Sequence, residues 1–158
     1  MTSRWGTFGA LIVVLALAGT NGAKSQRMGA EEGVASYVVT GDTIAAPLAS
    51  GPADPERGRQ IAIDRRLGNC LICHRVPEPG ERFQGDLGPD LAGVGKRLTP
   101  GQLRLRLVDQ SSLNAATVMP PYYRVDGLRL VDAAYMGRPV LTASQIEDVV
   151  AYLASFKD

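Results

Sequence analysis

Histidine occurs once in the 158 residues and cysteine twice. A structural zinc site takes four protein ligands, mostly Cys and His, so here a fourth ligand would have to be a carboxylate. Neither sign of charge dominates, with 17 Lys and Arg against 16 Asp and Glu, and nothing points to nucleic acid. Long apolar runs are missing as well. The longest, Phe8 to Ala18, is too short to span a bilayer comfortably. There is no internal repeat and no twin-arginine pair, and no cysteine near that run to take a lipid.

What is present is concentrated. Both cysteines and the histidine fall in one pentapeptide, Cys70-Leu71-Ile72-Cys73-His74. Cys-x-x-Cys-His is the attachment sequence for covalent haem. On a helical turn, residues three and four apart share a face. Two sulfurs can then add to the two vinyl groups of one porphyrin, while His74 reaches its iron as proximal ligand. A thioredoxin-like Cys-x-x-Cys wants a βαβ setting, and the surroundings here read as helix and loop. A disulfide staple would close a very small loop and leave His74 unexplained. A non-redox zinc or disulfide module stays as the alternative of another class.

Met1 to Ala23 reads as a secretory signal. Arg4 precedes the apolar run, small residues follow it, and Ala23 is a plausible last residue of the leader. An uncleaved N-terminal anchor is the alternative. Export to the periplasm fits haem attachment outside the bacterial cytoplasm. The mature chain, Lys24 to Asp158, has 135 residues, with 16 basic and 16 acidic, enough for one domain. The basic residues cluster, ten Lys and Arg against five Asp and Glu from Arg57 to Arg106. That cluster reads as a solvated helix face, with a partner-orienting patch beside the haem as the sharper alternative.

The fold class expected is mostly α. Residues 24–53 read as an extended N-terminal arm anchored by Tyr37-Val38-Val39 and Ile44. Residues 54–158 read as the haem domain. Asp54-Pro55 opens a first helix that Gly68 and Asn69 end. In it Arg57, Arg59, Arg65 and Arg66 stay wet, and Gly58 allows another helix close. Arg75 to Leu98, rich in Gly and Pro, is a loop. Its Gly88-Pro89 segment is placed to offer a carbonyl to the second imidazole nitrogen. Thr99-Pro100 with Gln102 starts a helix that ends near Asp109, with Leu103 and Leu107 inside and Arg104 and Arg106 facing out. Tyr123 to Leu130 alternates around Asp126-Gly127, a signal that a hairpin or an irregular loop can both use. Thr142 and Gln145 cap a last helix that places Ile146, Val149, Val150 and Leu153 on one face.

Haem iron held by His and Met serves electron transfer at a raised potential. After the leader, Met28, Met119 and Met136 are the candidates. Met119 is favoured because Pro120 and Pro121 hold it on extended backbone, and Met136 is the alternative. Two protein ligands leave no open position for oxygen or substrate. Arg97, Tyr122 and Tyr123 read as ordinary surface positions, with contact to haem propionates as the alternative.

Taken in order, these pieces resemble a class I cytochrome c domain: helix, Cys-x-x-Cys-His, the Gly-Pro-x-Leu-x-Gly loop at Gly88 to Gly93, a Met ligand, and a C-terminal helix. The resemblance implies that the Pro89 carbonyl supports His74, and that Gly58 meets Tyr152 or Phe156 where the first helix crosses the last. Three further segments narrow it: Asn69 to His74; Met119-Pro120-Pro121-Tyr122-Tyr123; and Gly137 to Thr142 with Glu147 to Leu153. Together, across Tyr37 to Phe156, they are similar to the SoxX family, the monohaem cytochrome subunits of SoxAX complexes in sulfur-oxidising bacteria. That likeness implies one covalent haem c and a SoxA-type cytochrome partner, dihaem or monohaem. The active site for joining thiosulfate to a cysteine of the SoxYZ carrier would lie on SoxA, an L-cysteine S-thiosulfotransferase reaction. A small soluble cytochrome c would accept the electrons, and no stable membrane anchor is implied. A free-standing soluble carrier cytochrome is the rival reading.

Overall fold

Among the described residues four α-helices carry the fold, and side-chain caps define where three of them start. A computed structural model describes residues 33–158 together with Met1 and Thr2. The leader reading and Met28 fall on residues that lie outside this set, as does the arm before Gly33. The Asp54 carboxylate accepts from the amides of Glu56 and Arg57, and Pro55 fills the first helical position of α1 (Pro55–Ile63). This helix stops earlier than Gly68 because its cap is Asp64, in extended backbone. The chain turns over the next residues, and the Gly68 amide returns to the Ile61 carbonyl at 3.0 Å. Asn69, at φ +47°, then swings the chain into one 3-10 turn, Cys70–Ile72. Asn tolerates that left-handed conformation better than most residues.

The loop after His74 holds a helix that the Gly and Pro content hid, α2 (Val94–Arg97). Four residues do not make a stable helix alone. This one is held from outside, by the Gly95 amide donating to the Phe156 carbonyl at 2.9 Å. Capping boxes open α3 (Pro100–Asp109) at Thr99 and Gln102, and α4 (Ala143–Ala154) at Thr142 and Gln145. Among the described residues there is no strand, only an isolated bridge between Thr40 and Thr43. The Asp126-Gly127 signal makes an irregular loop, with Gly127 at φ +68°.

The core lies where α4 crosses α1 and α3. Ile61 and Ala62 from α1, Leu103, Leu105, Leu107 and Val108 from α3, and Ile146, Val149, Val150 and Leu153 from α4 are all buried. Gly58 sets the crossing distance. A Cβ there would overlap the Asp148 carbonyl and stand 2.9 Å from Tyr152 Cβ. The expected Gly-on-Tyr152 contact is therefore present, and Phe156 stacks edge-on against Tyr152 at 4.7 Å. Helix propensity alone would favour Gly58→Ala by about 1 kcal/mol. Overlap with main chain that cannot swing away should reverse the sign, costing about 3 kcal/mol. The midpoint of urea unfolding of the holoprotein measures it.

Two acidic residues on α4 are buried, and each is fully engaged. Asp148 accepts from the Asp54 amide at 2.7 Å and from the Arg57 guanidinium at 2.9 and 3.0 Å, so it fixes the start of α1. Glu147 takes both arms of Arg104 at 2.7 Å. This corrects the outward placement of Arg104, which is 4% exposed. Arg106, by contrast, is half-buried and bonds back to the Gln102 carbonyl. What covers Arg104 is the arm. Its guanidinium also donates to the Ile44 carbonyl at 2.6 Å, and the Leu48 amide donates to Glu147 at 2.8 Å. Ile44 is sealed in the core, as expected of an anchor. Val38 and Val39 are not anchors, because both face solvent, Val38 at 76% exposure. Tyr37 does anchor, packing on the Tyr123 ring, and Ala35 joins it, its amide donating to the Tyr123 hydroxyl at 2.7 Å.

Candidate functional site

The pentapeptide sits between α1 and the loop that follows it. The turn brings the Cys73 and His74 amides to the Cys70 carbonyl, at 3.2 and 2.9 Å. Cys70, Cys73 and His74 are half-buried, and both thiols are free rather than joined to each other. Burial pushes the Cys70 thiol up to about 11. It is therefore neutral at physiological pH, a poor thiolate for zinc or disulfide exchange. Among the described residues no group of three or more His, Cys, Asp or Glu is placed to hold a metal ion.

The loop from Arg75 onward is laced along this turn. The amides of Gly85, Gly88 and Leu91 donate to the carbonyls of Leu71, Cys73 and Arg75, at 2.7, 2.7 and 2.9 Å. Gln84 braces the fold-back, its side-chain oxygen on the Val76 amide and its nitrogen on the Glu81 carbonyl. Sequence inspection missed this brace because a lone Gln in a Gly-Pro loop has no periodic signature. The result is a close pass over the imidazole. A Cβ at Gly88 would stand 2.6 Å from His74 Nδ1 and 2.8 Å from Nε2. One residue on, the Pro89 carbonyl lies 2.7 Å from Nδ1. A carbonyl only accepts, so Nδ1 carries the proton and Nε2 is left as the free lone pair.

These residues fit a covalently held haem. Both thiols are unpaired, the imidazole has one nitrogen committed and one free, and glycine leaves the ring uncrowded. Gly88→Ala should push into the imidazole. Expected is a several-fold lower yield of haem-loaded protein, read as the ratio of haem absorbance to protein mass, with no loss in a matched Gly80→Ala control. A Cβ at Gly80 meets nothing within 4 Å.

The Met119 segment runs across α3 and the start of α4. The Tyr122 amide donates to the Leu107 carbonyl at 3.0 Å, and the Arg124 amide to the Val108 carbonyl at 3.2 Å. The Leu141 amide donates to the Tyr122 carbonyl at 2.9 Å. Met119 is half-buried and packs against the core, whereas Met136 is 69% exposed in a stretch that faces solvent. Tyr122 itself is buried, and its hydroxyl donates to the Gly68 carbonyl at 2.6 Å, beside the Cys70 thiol. Tyr123 is sealed under the arm. Arg97 is committed to the carbonyls of Ala92 and Asp90. Arg97 is thus the surface position expected, whereas Tyr122 and Tyr123 are not, because each ring is buried in the core with its hydroxyl on a backbone group. Of the basic cluster, Arg57, Arg59, Arg66 and Arg75 pair with carboxylates, which leaves less free positive charge than the sequence count implies.

Comparison with known proteins follows the same outline. The family model for cytochrome c matches residues 55–157. Among solved structures, a chain of SoxXA from P. pantotrophus is similar at 34% identity with a TM-score of 0.73. The match spans 82% of this chain and 100% of that one. A search of curated proteins gave no match. No helix among the described residues is long and apolar enough to cross a membrane. With the whole haem-binding segment inside the matched region, the chain belongs to the cytochrome c family of covalent haem proteins, and within it to the SoxX cytochromes.

Proposed function

We propose that this chain is the electron-transfer subunit of a SoxAX complex in thiosulfate oxidation, working in the periplasm after loss of the 1–23 leader. The observation that carries the proposal is the match to a SoxXA chain over that chain's full length. It is supported by the Nδ1 geometry of His74. Cys70 and Cys73 hold a single haem as thioethers. His74 ligates its iron through Nε2, with the Pro89 carbonyl orienting the ring, and Met119 is the second ligand. Bound haem supplies a one-electron couple. With His74 and Met119 both holding the iron, the chain's own residues would leave substrate no place on the metal. Half-burial and core contact favour Met119 over Met136 for this role.

The sulfur chemistry then belongs elsewhere. With both cysteines committed to thioethers, no free thiol remains on this chain. The partner is a SoxA-type cytochrome, which carries the active site acting on the SoxYZ carrier. A small soluble cytochrome c takes the electrons onward. Purification from the native host tests this. A second haem protein should co-elute through two orthogonal columns, and the intact mass of this chain should exceed the bare mature polypeptide by one porphyrin. A haem-loaded chain that elutes alone and reduces a soluble acceptor equally well alone would overturn the complex in favour of a free carrier.

A further inference from the structure

We infer that Tyr122 is a positioning residue for the second axial ligand, a tie that fixes the Met119 strut to the haem-attachment turn. The inference rests on the reading of Met119 as that ligand.

Tyr122 is held at three points that belong to three different parts of the chain. Its amide is on the end of α3 through Leu107, and its carbonyl is on the segment before α4 through Leu141. Its hydroxyl donates to the Gly68 carbonyl, two residues ahead of Cys70. Only the hydroxyl bond reaches the side of the site that carries the cysteines and His74. Between Tyr122 and Met119 stand Pro120 and Pro121, whose rings lock φ. A stiff link of two prolines transmits position, where a flexible one would absorb it. Tyr122 is 8% exposed, so water does not replace the lost partner cheaply if the hydroxyl is removed. The Gly68 carbonyl is fixed in turn, because the Gly68 amide is bonded to Ile61 of α1. One hydroxyl therefore sets how far the Met119 strut stands from the turn that carries His74.

The test uses the haem-loaded full-length protein and imidazole as a probe that competes with Met119 for ferric iron. Its apparent affinity rises with the fraction of time Met119 is off. Tyr122→Phe removes one oxygen. Expected is a roughly fivefold to tenfold tighter apparent imidazole affinity, the scale of one hydrogen bond. A weaker near-infrared sulfur-to-iron band should accompany it. Tyr152→Phe is the control. It also loses one hydroxyl bond, to Glu78 at 2.7 Å, and should lower stability while leaving imidazole affinity and the band unchanged. Wild-type affinity and band in Tyr122→Phe overturn the inference, as does an equal change in Tyr152→Phe. Met119→Ala separates the two readings. A band lost there but intact in Tyr122→Phe removes the tie alone, and a band surviving in Met119→Ala removes both. If Tyr122→Phe loads too little haem to titrate, Pro121→Gly softens the link with Tyr122 in place. It should reproduce the imidazole effect, and wild-type affinity there overturns the inference.

Discussion

Met119→Ala should abolish the near-infrared sulfur-to-iron absorption and lower the reduction potential, while Met136→Ala changes neither. A thioether ligand raises the potential of haem iron. Axial ligation as a whole spans about 0.8 V, so a drop on the order of 0.1 V or more is expected. The contrast between the two methionines is the informative part. Met119 is backed by Pro120 and Pro121 and packs on the core, whereas Met136 lies in an exposed stretch. A flexible, exposed Met must give up conformational freedom to bind iron, and a preset one gives up much less. Protein-film voltammetry and the absorption spectrum of the oxidised protein measure both effects. Loss of the band in Met136→Ala instead would reassign the ligand.

Glu147→Ala should destabilise the protein by about 3–5 kcal/mol, the usual cost of leaving one member of a buried ion pair alone. Arg104 would be left with the Ile44 and Ala45 carbonyls but no counter-charge. The loss is not confined to the helix pair. Leu48 also loses its acceptor, so the arm comes free after Ile44, whose own amide stays on the Gly101 carbonyl. Limited proteolysis should then cut between residues 45 and 53 well before the helices unfold. The double variant Arg104→Met with Glu147→Leu should recover most of the stability, since an apolar pair of similar volume often matches a buried ion pair. Its proteolysis should remain fast, because neither new side chain can hold the arm's backbone. Urea unfolding and the proteolytic rate separate the two effects.

Much of the site could be read from local spacing. The pentapeptide carries its own chemistry, and the helix starts at Asp54, Thr99 and Thr142 are recognisable because a cap and its partner lie within three residues of each other. Gly58 was readable for a related reason, since a glycine in a helix interior calls for a neighbour. What escaped sequence inspection is non-local. On a helical wheel Arg104 is a charge beside apolar residues, and wheels assign charges to water. Its actual surroundings come from Glu147 and from the Ile44 carbonyl, both far away in sequence. The short α2 was hidden by the two glycines that let it pack under the end of α4. The hydroxyl bond of Tyr122 crosses 54 residues to Gly68. No periodicity announces such a bond.

The oxygen that meets the His74 imidazole belongs to the peptide skeleton. Whatever amino acid is encoded at position 89, the same atom is supplied. Coding changes there can loosen or stiffen the local path, yet none deletes the acceptor. The basicity of the other ring nitrogen is thus written into the route of a loop, where selection acts through shape and single-letter drift leaves it intact.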